Sequence, residues 1–320
     1  MNRGAFIGSA LAAAVPIPAG AADLRSEVVS AAEYSTGVVG AYARSLGHSG
    51  SFSYNADERF PSASVIKVLI MTCVFEAYDR DPELLAHKVK LELSDFVGGS
   101  DILQNYNPGD LVSVSLLVHA MIEQSDNTAS NALITMLGFE RIAATARRAG
   151  LHRTQLKRHF MDFAAIVHHS NNLTTARDMA SLLYQIERGA HEAVPTVASP
   201  RSCRQMVDIM LRQEDRDKIV RGLPKGVPTV ASPASCRKMI DIMLHQEDRD
   251  KIVRGLPRGV PVANKTGEID GVRNDVAIVD PYGEAPYVLA VLTKDLNDFS
   301  NGVIAIRRIA KAVDVAFRTG

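Results

Sequence analysis

The sequence predicts an α/β fold with an additional all-α lobe, in which an antiparallel sheet is flanked by helices. Near the start of the 320-residue chain, "TGVVGAYAR" and "SFSYN" alternate as strands do, and the turn "SLGHSG" joins them. Near the end, "PVANKTG", "DVAIVD" and "YVLAVLTK" give three more strand patterns. The sequence between them is mostly helical in its apolar spacing. Strands at both ends therefore predict one sheet built from both termini, with a helical lobe inserted.

These patterns also predict the domain boundaries. We expect a discontinuous α/β lobe over residues 22–60 and 190–320, and an all-α lobe over residues 61–189. Within the helical lobe, "SVIKVLIMTCVFEAYDR", "SVSLLVHAMIEQ", "NTASNALITMLG" and "TTARDMASLLYQIERG" predict helices. Gly138 and Gly189 are predicted as helix stops. "SNGVIAIRRIAKAVDVAFR" predicts a final helix on the α/β lobe.

Residues 1–21 have the features of a secretory signal peptide. Arg3 gives a positive start, a short apolar stretch of small residues follows, and Ala19-Gly20-Ala21 fits a small-x-small cleavage site. A disordered apolar N-terminus is the alternative interpretation. The signal peptide predicts a soluble protein that is secreted or periplasmic, since no later segment is apolar enough to span a bilayer.

Charge and cysteine content exclude several classes of function. The formal net charge is zero, so no basic excess exists to bind nucleic acid. The sequence also has no basic run that would predict binding to an anionic membrane surface. Three cysteines are too few for a disulfide framework, and we expect Cys73, Cys203 and Cys236 to be buried small apolar residues. A Cys203–Cys236 bridge stays open, because export permits disulfides.

An internal repeat occupies the C-terminal half. Residues 194–226 and 227–259 are 33 residues each and differ at only five positions, which is typical of a recent tandem duplication. In each copy a Ser-Pro pair starts a helix with one apolar stripe. We expect the second copy to fill the place before the following strand, because it is joined directly to it. The first copy would then lie on the surface away from Ser64. Its stripe would be partly exposed unless it packs on the body or on another chain, so we expect either a monomer or a repeat-mediated dimer. The alternative is that the inserted copy reshapes the edge of the site and widens the substrate range.

Ser64 and Lys67 begin the most apolar predicted helix. At a spacing of three residues they share one helix face, about 5–6 Å apart at Cβ. A desolvated lysine loses basicity and can take a proton from a neighbouring hydroxyl, which activates the hydroxyl as a nucleophile. S-x-x-K alone is a weak signal, and its meaning depends on partner motifs.

Two partner motifs follow in order. Ser125-Asp126-Asn127 lies at the end of an amphipathic helix, and Lys265-Thr266-Gly267 lies on a predicted strand. The order S-x-x-K, S-D-N, K-T-G resembles the signature of class A serine β-lactamases, within the penicillin-interacting serine enzymes. The resemblance runs from about residue 35 to the C-terminus. It implies the β-lactamase/transpeptidase-like fold, a β-lactam as the small-molecule substrate, and no cofactor.

The resemblance also implies catalytic roles. Ser64 would be the nucleophile on the lactam carbonyl, Lys67 its general base or part of a proton network, and Ser125 the relay to the leaving nitrogen. The backbone N–H groups of Ser64 and Glu268 would form the oxyanion hole.

Substrate-binding roles follow in the same way. Lys265 and Thr266 would contact the substrate carboxylate, Asn127 the substrate amide, and Arg273 would supply a second positive charge. A solvated surface arginine is the alternative interpretation of Arg273. Asp126 is predicted to brace its loop.

One position departs from the family pattern. In the segment "LKRHFMDFAAIVHHSNNLTT", Arg158 matches, but Phe160 stands where the family has its deacylating glutamate. Asp162 is the nearest carboxylate and becomes the candidate deacylation base, with His159, His168 and His169 as candidate helpers. The departure leaves two alternatives to a β-lactamase: a D-alanyl-D-alanine peptidase, or a slow-turnover penicillin-binding or sensing protein. The sequence predicts no metal site, because no paired-histidine motif with a carboxylate occurs.

Overall fold

A computed structural model describes residues 19–168, 170–191, 197–211, 251–281 and 283–319. Its centre is a five-stranded antiparallel sheet in the order β2-β1-β9-β8-β7, in which the two N-terminal strands pair with the three C-terminal ones. This arrangement confirms the predicted sheet. The bounds of its strands are Val38–Ser45 (β1), Ser51–Tyr54 (β2), Val262–Ile269 (β7), Val272–Val279 (β8) and Tyr287–Lys294 (β9).

Two short ribbons lie outside the main sheet. β3 (Phe60–Pro61) pairs with β6 (Leu173–Thr174), and β4 (Lys88–Lys90) pairs with β5 (Leu111–Ser113). The first ribbon lies directly before Ser64, and Ser62 N–H donates to the Asn172 carbonyl at 2.9 Å. The chain segment directly before Ser64 is therefore hydrogen-bonded to the end of the segment that carries Phe160.

The helices form two layers around the sheet. Their bounds are Ala19–Tyr34 (α1), Lys67–Tyr78 (α2), Val114–Glu123 (α3), Asn127–Leu137 (α4), Phe139–Arg148 (α5), Phe163–Val167 (α6), Ala176–His191 (α7), Pro200–Leu211 (α8), Ile252–Gly255 (α9) and Phe299–Thr319 (α10). α1 and α10 pack on one face of the sheet, and α7 packs on the other with the helical core behind it. β9 is buried along nearly its whole length because both faces are covered.

Two helix predictions need correction or addition. α7 continues to His191, so the predicted stop at Gly189 is wrong. α1 was not predicted from the sequence, although Leu24, Val28 and Ala31 form one stripe that is buried against the sheet layer. α1 starts at Ala19, so the predicted cleavage site lies in its first turn, and the rest of the predicted signal peptide lies outside the described residues.

The first copy of the repeat is in the core, which makes the prediction of a surface position wrong. α8 comes from that copy, and Cys203, Met206, Val207 and Met210 are fully buried in the main core cluster. α9, which packs on α10 and β8, comes from the end of the second copy. The helix predicted in the second copy lies outside the described residues.

The order of the chain explains why the first copy, and not the second, supplies the core helix. Both copies carry the same apolar stripe, so stripe composition does not choose between them, and the first copy is the one that directly follows α7. Asp79, directly after α2, secures the start of α8 by accepting hydrogen bonds from the Ser199 hydroxyl at 2.6 Å and from the Ser202 hydroxyl.

The described cysteines are buried, as predicted. Cys73 and Cys203 are at most 1% exposed, and burial raises the pKa of the Cys73 thiol. Cys236, and with it the question of the bridge, lies outside the described residues. Among the helices that the structure describes, none is long and apolar enough to span a bilayer.

Candidate active site

Ser64 lies in a 3-10 turn, Ala63–Ile66, that leads directly into α2. The Lys67 N–H donates to the carbonyls of Ser64 and Val65, so the turn and the helix are continuous. Ala63, before the nucleophile, has a φ of 44°, a left-handed conformation that a non-glycine residue adopts at some energetic cost. The turn places Ser64 and Lys67 together at the start of a buried helix, as the spacing predicts.

Lys67 is fully buried and is surrounded by acceptors. Its Nζ donates to the Ser125 carbonyl at 2.6 Å, to Asn127 Oδ1 at 2.9 Å and to Ser125 Oγ at 3.2 Å. A buried ammonium is tolerated only when its donors are paired. These contacts explain the lysine in an apolar helix, since they connect S-x-x-K with S-D-N.

Ser125 and Asp126 form the junction between α3 and α4. Ser125 has a φ of 59° and is half-buried, so its hydroxyl is held towards Lys67 by a strained backbone. Asp126 is fully buried, caps α4 through the Ala129 N–H at 2.8 Å, and accepts from the N–H groups of Ile102 and Leu103. The prediction that Asp126 braces its loop is confirmed.

The K-T-G strand lies directly beside the nucleophile. Lys265 and Thr266 are at most 1% exposed. A Cβ on Gly267 would lie 2.7 Å from the backbone nitrogen of Ser64, so only glycine permits the observed approach. Glu268, whose N–H is predicted to form an oxyanion hole together with the Ser64 N–H, is the next residue of this strand.

Phe160 occupies the position opposite Lys67. Its ring centroid is 4.5 Å from Lys67 Nζ, a cation–π contact, and the residue is 8% exposed. Asn131 fixes the Phe160 backbone, since its Oδ1 accepts from the Phe160 N–H at 2.8 Å and its Nδ2 donates to the Phe160 carbonyl at 3.3 Å. A carboxylate at this place would face the ammonium, whereas the phenyl ring offers no group that can activate water.

Asp162 lies two residues beyond Phe160 and caps α6. Its Oδ1 accepts from the Ala165 N–H at 3.0 Å. Burial lowers the pKa of Arg158, and the negative charge of Asp162 opposes that shift, which places the carboxylate within electrostatic reach of the arginine. Asp162 thus has a structural task as a helix cap as well as its predicted catalytic one.

The candidate helper histidines lie around the same segment. His159 packs edge-on against Phe139 at 5.1 Å between ring centroids, and its Nε2 is 3.4 Å from Thr135 Oγ1. His168 is exposed, and His169 lies outside the described residues. In the part of the chain that the structure describes, no group of three metal-ligating side chains comes together.

Arg273 contacts both the C-terminal helix and the turn between β7 and β8. Its guanidinium lies 4.1 Å from the centroid of the Phe299 ring and donates to the carbonyls of Ile269 and Val272. These contacts agree with a structural role and leave its predicted contact with a substrate as a proposal.

Lys251 is a charged residue near the K-T-G strand that sequence reasoning missed. It is 1% exposed and forms an ion pair with Glu268, whose side chain is 41% exposed. Lys218 occupies the equivalent place in the first copy of the repeat, with the same local sequence. Local sequence therefore gave no signal that distinguishes one lysine from the other.

Comparison with known proteins places these motifs in a family. The sequence matches the beta-lactamase enzyme family over residues 22–231 and 228–317. The chain belongs to this family. A beta-lactamase from Streptomyces fradiae is 34% identical over 126 residues, which cover 38% of this chain and 40% of that protein. Beta-lactamase Toho-2 from Escherichia coli is 29% identical over 242 residues, which cover 74% of this chain and 68% of that protein.

Several of these sequence matches are partial. The chain spans about half of the length of three curated relatives that it matches, namely 40%, 49% and 52%. Solved structures match over more of the chain. An acyl-enzyme complex of a PBP-A mutant with penicillin G has a TM-score of 0.74 at 25% identity and covers 93% of this chain and 96% of its own. A beta-lactamase from Sphaerobacter thermophilus has a TM-score of 0.73 at 26% identity and covers 93% and 98%. These neighbours agree with the predicted β-lactamase/transpeptidase-like fold.

Proposed function

We propose that this protein is a serine hydrolase that opens the ring of penicillin- and cephalosporin-type β-lactams through an acyl-enzyme on Ser64. The observation that carries the proposal is the hydrogen bonding of buried Lys67 to Ser125 and Asn127, directly beside Ser64. This network joins two motifs, S-x-x-K and S-D-N, that lie about 60 residues apart in the chain. Family membership supports the same reaction class.

The proposed reaction has two steps. In acylation, Ser64 Oγ attacks the lactam carbonyl carbon, and its proton enters the network of Lys67 and Ser125. The lactam C–N bond breaks as the Ser125 hydroxyl delivers a proton to the leaving nitrogen. Water then attacks the ester, which releases the ring-opened acid and restores Ser64.

Binding follows from the K-T-G strand and the S-D-N motif. Lys265 and Thr266 contact the substrate carboxylate, Asn127 contacts the substrate amide, and Arg273 remains a candidate for a second positive charge. The N–H groups of Ser64 and Glu268 stabilise the oxyanion, a contribution of commonly ~3–4 kcal/mol per donor. The close approach at Gly267 supports this pairing.

Deacylation is the step on which a second candidate function depends. Phe160 lies over Lys67, so the side chain at the usual place of the deacylating glutamate cannot activate water. Either Asp162 supplies the base, or the acyl-enzyme is long-lived and the protein acts as a penicillin-binding or sensing protein. The similarity to PBP-A, which is solved as an acyl-enzyme with penicillin G in mutant form, makes this second candidate concrete.

One experiment separates these functions. The protein is incubated with a chromogenic cephalosporin while colour and covalent mass are followed together. Sustained turnover supports the hydrolase, a single burst with a stable mass increase supports the binding protein, and hydrolysis of a D-alanyl-D-alanine peptide supports a peptidase.

Ser64→Ala should abolish covalent acylation in each case and keep the fold, and a variant that still gains the mass of a penicillin would show that Ser64 is not the nucleophile. As for location, we propose a secreted or periplasmic protein, which agrees with family membership.

A further inference from the structure

The Glu268–Lys251 ion pair lies at the edge of the proposed substrate site. Residues two apart on a strand project from the same face, so Glu268 and Thr266 share one face of β7. At about 3.4 Å per residue they are about 7 Å apart along the strand. Thr266 is the residue proposed to contact the substrate carboxylate. Glu268 thus places a second carboxylate beside the position of the first.

The partner of Glu268 is a cation that the protein holds almost out of water. Lys251 is 1% exposed, whereas the Glu268 side chain is 41% exposed, so the glutamate covers the lysine on the solvent side. Ile252, the residue after Lys251, is itself held by its N–H bond to Asp275 of β8 at 3.2 Å. The lysine is therefore anchored to the sheet, and a change at Glu268 leaves it in place.

We propose that Glu268 is a specificity-determining residue that lowers the preference of the site for substrates with a free carboxylate, because its negative charge lies on the face of Thr266 and offsets the charge of Lys251. This inference rests on the proposed function and deepens it. With Glu268 ionised, its negative charge offsets one positive charge at this edge of the site. Without it, the charge beside Thr266 becomes more positive by one unit, while Lys251 keeps its ammonium.

The size of the effect follows from the distance. One unit charge about 7 Å away, with an effective dielectric constant between protein and water, changes the binding of an anion by roughly tenfold at moderate ionic strength. A neutral substrate of the same shape should not respond. Salt should reduce the effect, because the Glu268 side of the pair is open to solvent.

The test compares a penicillin with its neutral methyl ester in four proteins. These are the wild type, Glu268→Gln, Glu268→Gln combined with Lys251→Met, and Asp57→Asn. The last is the matched control, since it removes one negative charge from an exposed ion pair with Arg177. The readout is the second-order rate constant of Ser64 acylation, followed by mass.

We expect Glu268→Gln to raise the rate for the free acid about tenfold relative to the ester, and the added Lys251→Met change to remove this gain. The Asp57→Asn ratio should equal that of the wild type. An unchanged ratio in Glu268→Gln, or a gain that survives Lys251→Met, would overturn the inference while acylation itself still supports the proposed function. If neither compound acylates the wild-type protein, the proposed function fails and this inference fails with it.

Discussion

Gly267 is the position where a single methyl group should separate the nucleophile from the K-T-G strand. In Gly267→Ala the new Cβ would meet the Ser64 nitrogen at 2.7 Å, the Ala63 Cβ at 3.0 Å and the Val65 nitrogen at 3.0 Å. Two of these three atoms are backbone, so no flexible side chain can move aside. β7 and the turn before α2 must therefore move apart.

The required movement sets the size of the effect. Ordinary van der Waals contact for a Cβ begins at 3.4 Å, so the strand and turn must open by about 0.7 Å. A displacement near 1 Å in a catalytic site costs roughly 10²-fold, and loss of one oxyanion donor costs roughly 10²–10³-fold. We expect acylation of Gly267→Ala to be about 100-fold slower than in the wild type. Overpacking should also destabilise the fold by about 1–3 kcal/mol.

The assay is the rate of mass gain with a penicillin, together with thermal unfolding to show that the variant is folded. Gly47→Ala is the matched control, because an added Cβ there meets nothing within 4 Å and the position lies in an exposed turn. It should acylate at the wild-type rate. If a folded Gly267→Ala protein also acylates at that rate, the close approach has no part in catalysis, and the reasoning about the oxyanion hole is wrong.

Three further predictions concern deacylation and the repeat. Phe160→Glu should shorten the life of the acyl-enzyme by roughly 10²–10⁴-fold, since it places a carboxylate opposite Lys67; Phe160→Gln is the control, and equal lifetimes in both variants would contradict the role of that position. Asp162→Asn should trap the acyl-enzyme with little loss of acylation rate, because asparagine can still cap α6; unchanged steady-state turnover would remove Asp162 from the mechanism. Deletion of residues 212–244 should keep the melting temperature and the acylation rate, whereas deletion of residues 194–226 should keep the rate but lose about 1–3 kcal/mol, because the helix of the second copy brings isoleucine in place of a buried valine; loss of activity towards some substrates in both shortened proteins would show that the repeat is part of the site.

Local patterns predicted most of the sheet and the chemistry of the site. β9 is identical to its predicted span, since a strand buried on both faces gives a continuous apolar run. The resemblance of the three ordered motifs to class A serine β-lactamases implied one site with Lys67, Ser125 and Asn127. The same resemblance, through Arg158, identified Phe160 as the residue at the position of the deacylating glutamate.

The sequence failed where two segments carry the same information. The helix that fills the core could not be assigned to one copy, because both present the same stripe. Lys251 was missed for the same reason, since Lys218 is its local equivalent. The stop at Gly189 was also wrong, because the packing of α7 against α8 and the sheet outweighs the small helix-breaking tendency of one glycine.

Three backbone N–H groups donate hydrogen bonds to the Asp126 carboxylate, and their hydrogen exchange measures how often the site opens. The amides of Ile102, Leu103 and Ala129 come from two separate segments and end on one buried carboxylate. Exchange of these hydrogens with solvent deuterium requires that their hydrogen bonds to Asp126 break, and Ser125 is the neighbour of Asp126 in the chain. The three amides should therefore exchange at similar rates, as one cooperative unit. That common rate would show how often the segment that carries the proposed proton relay opens in solution.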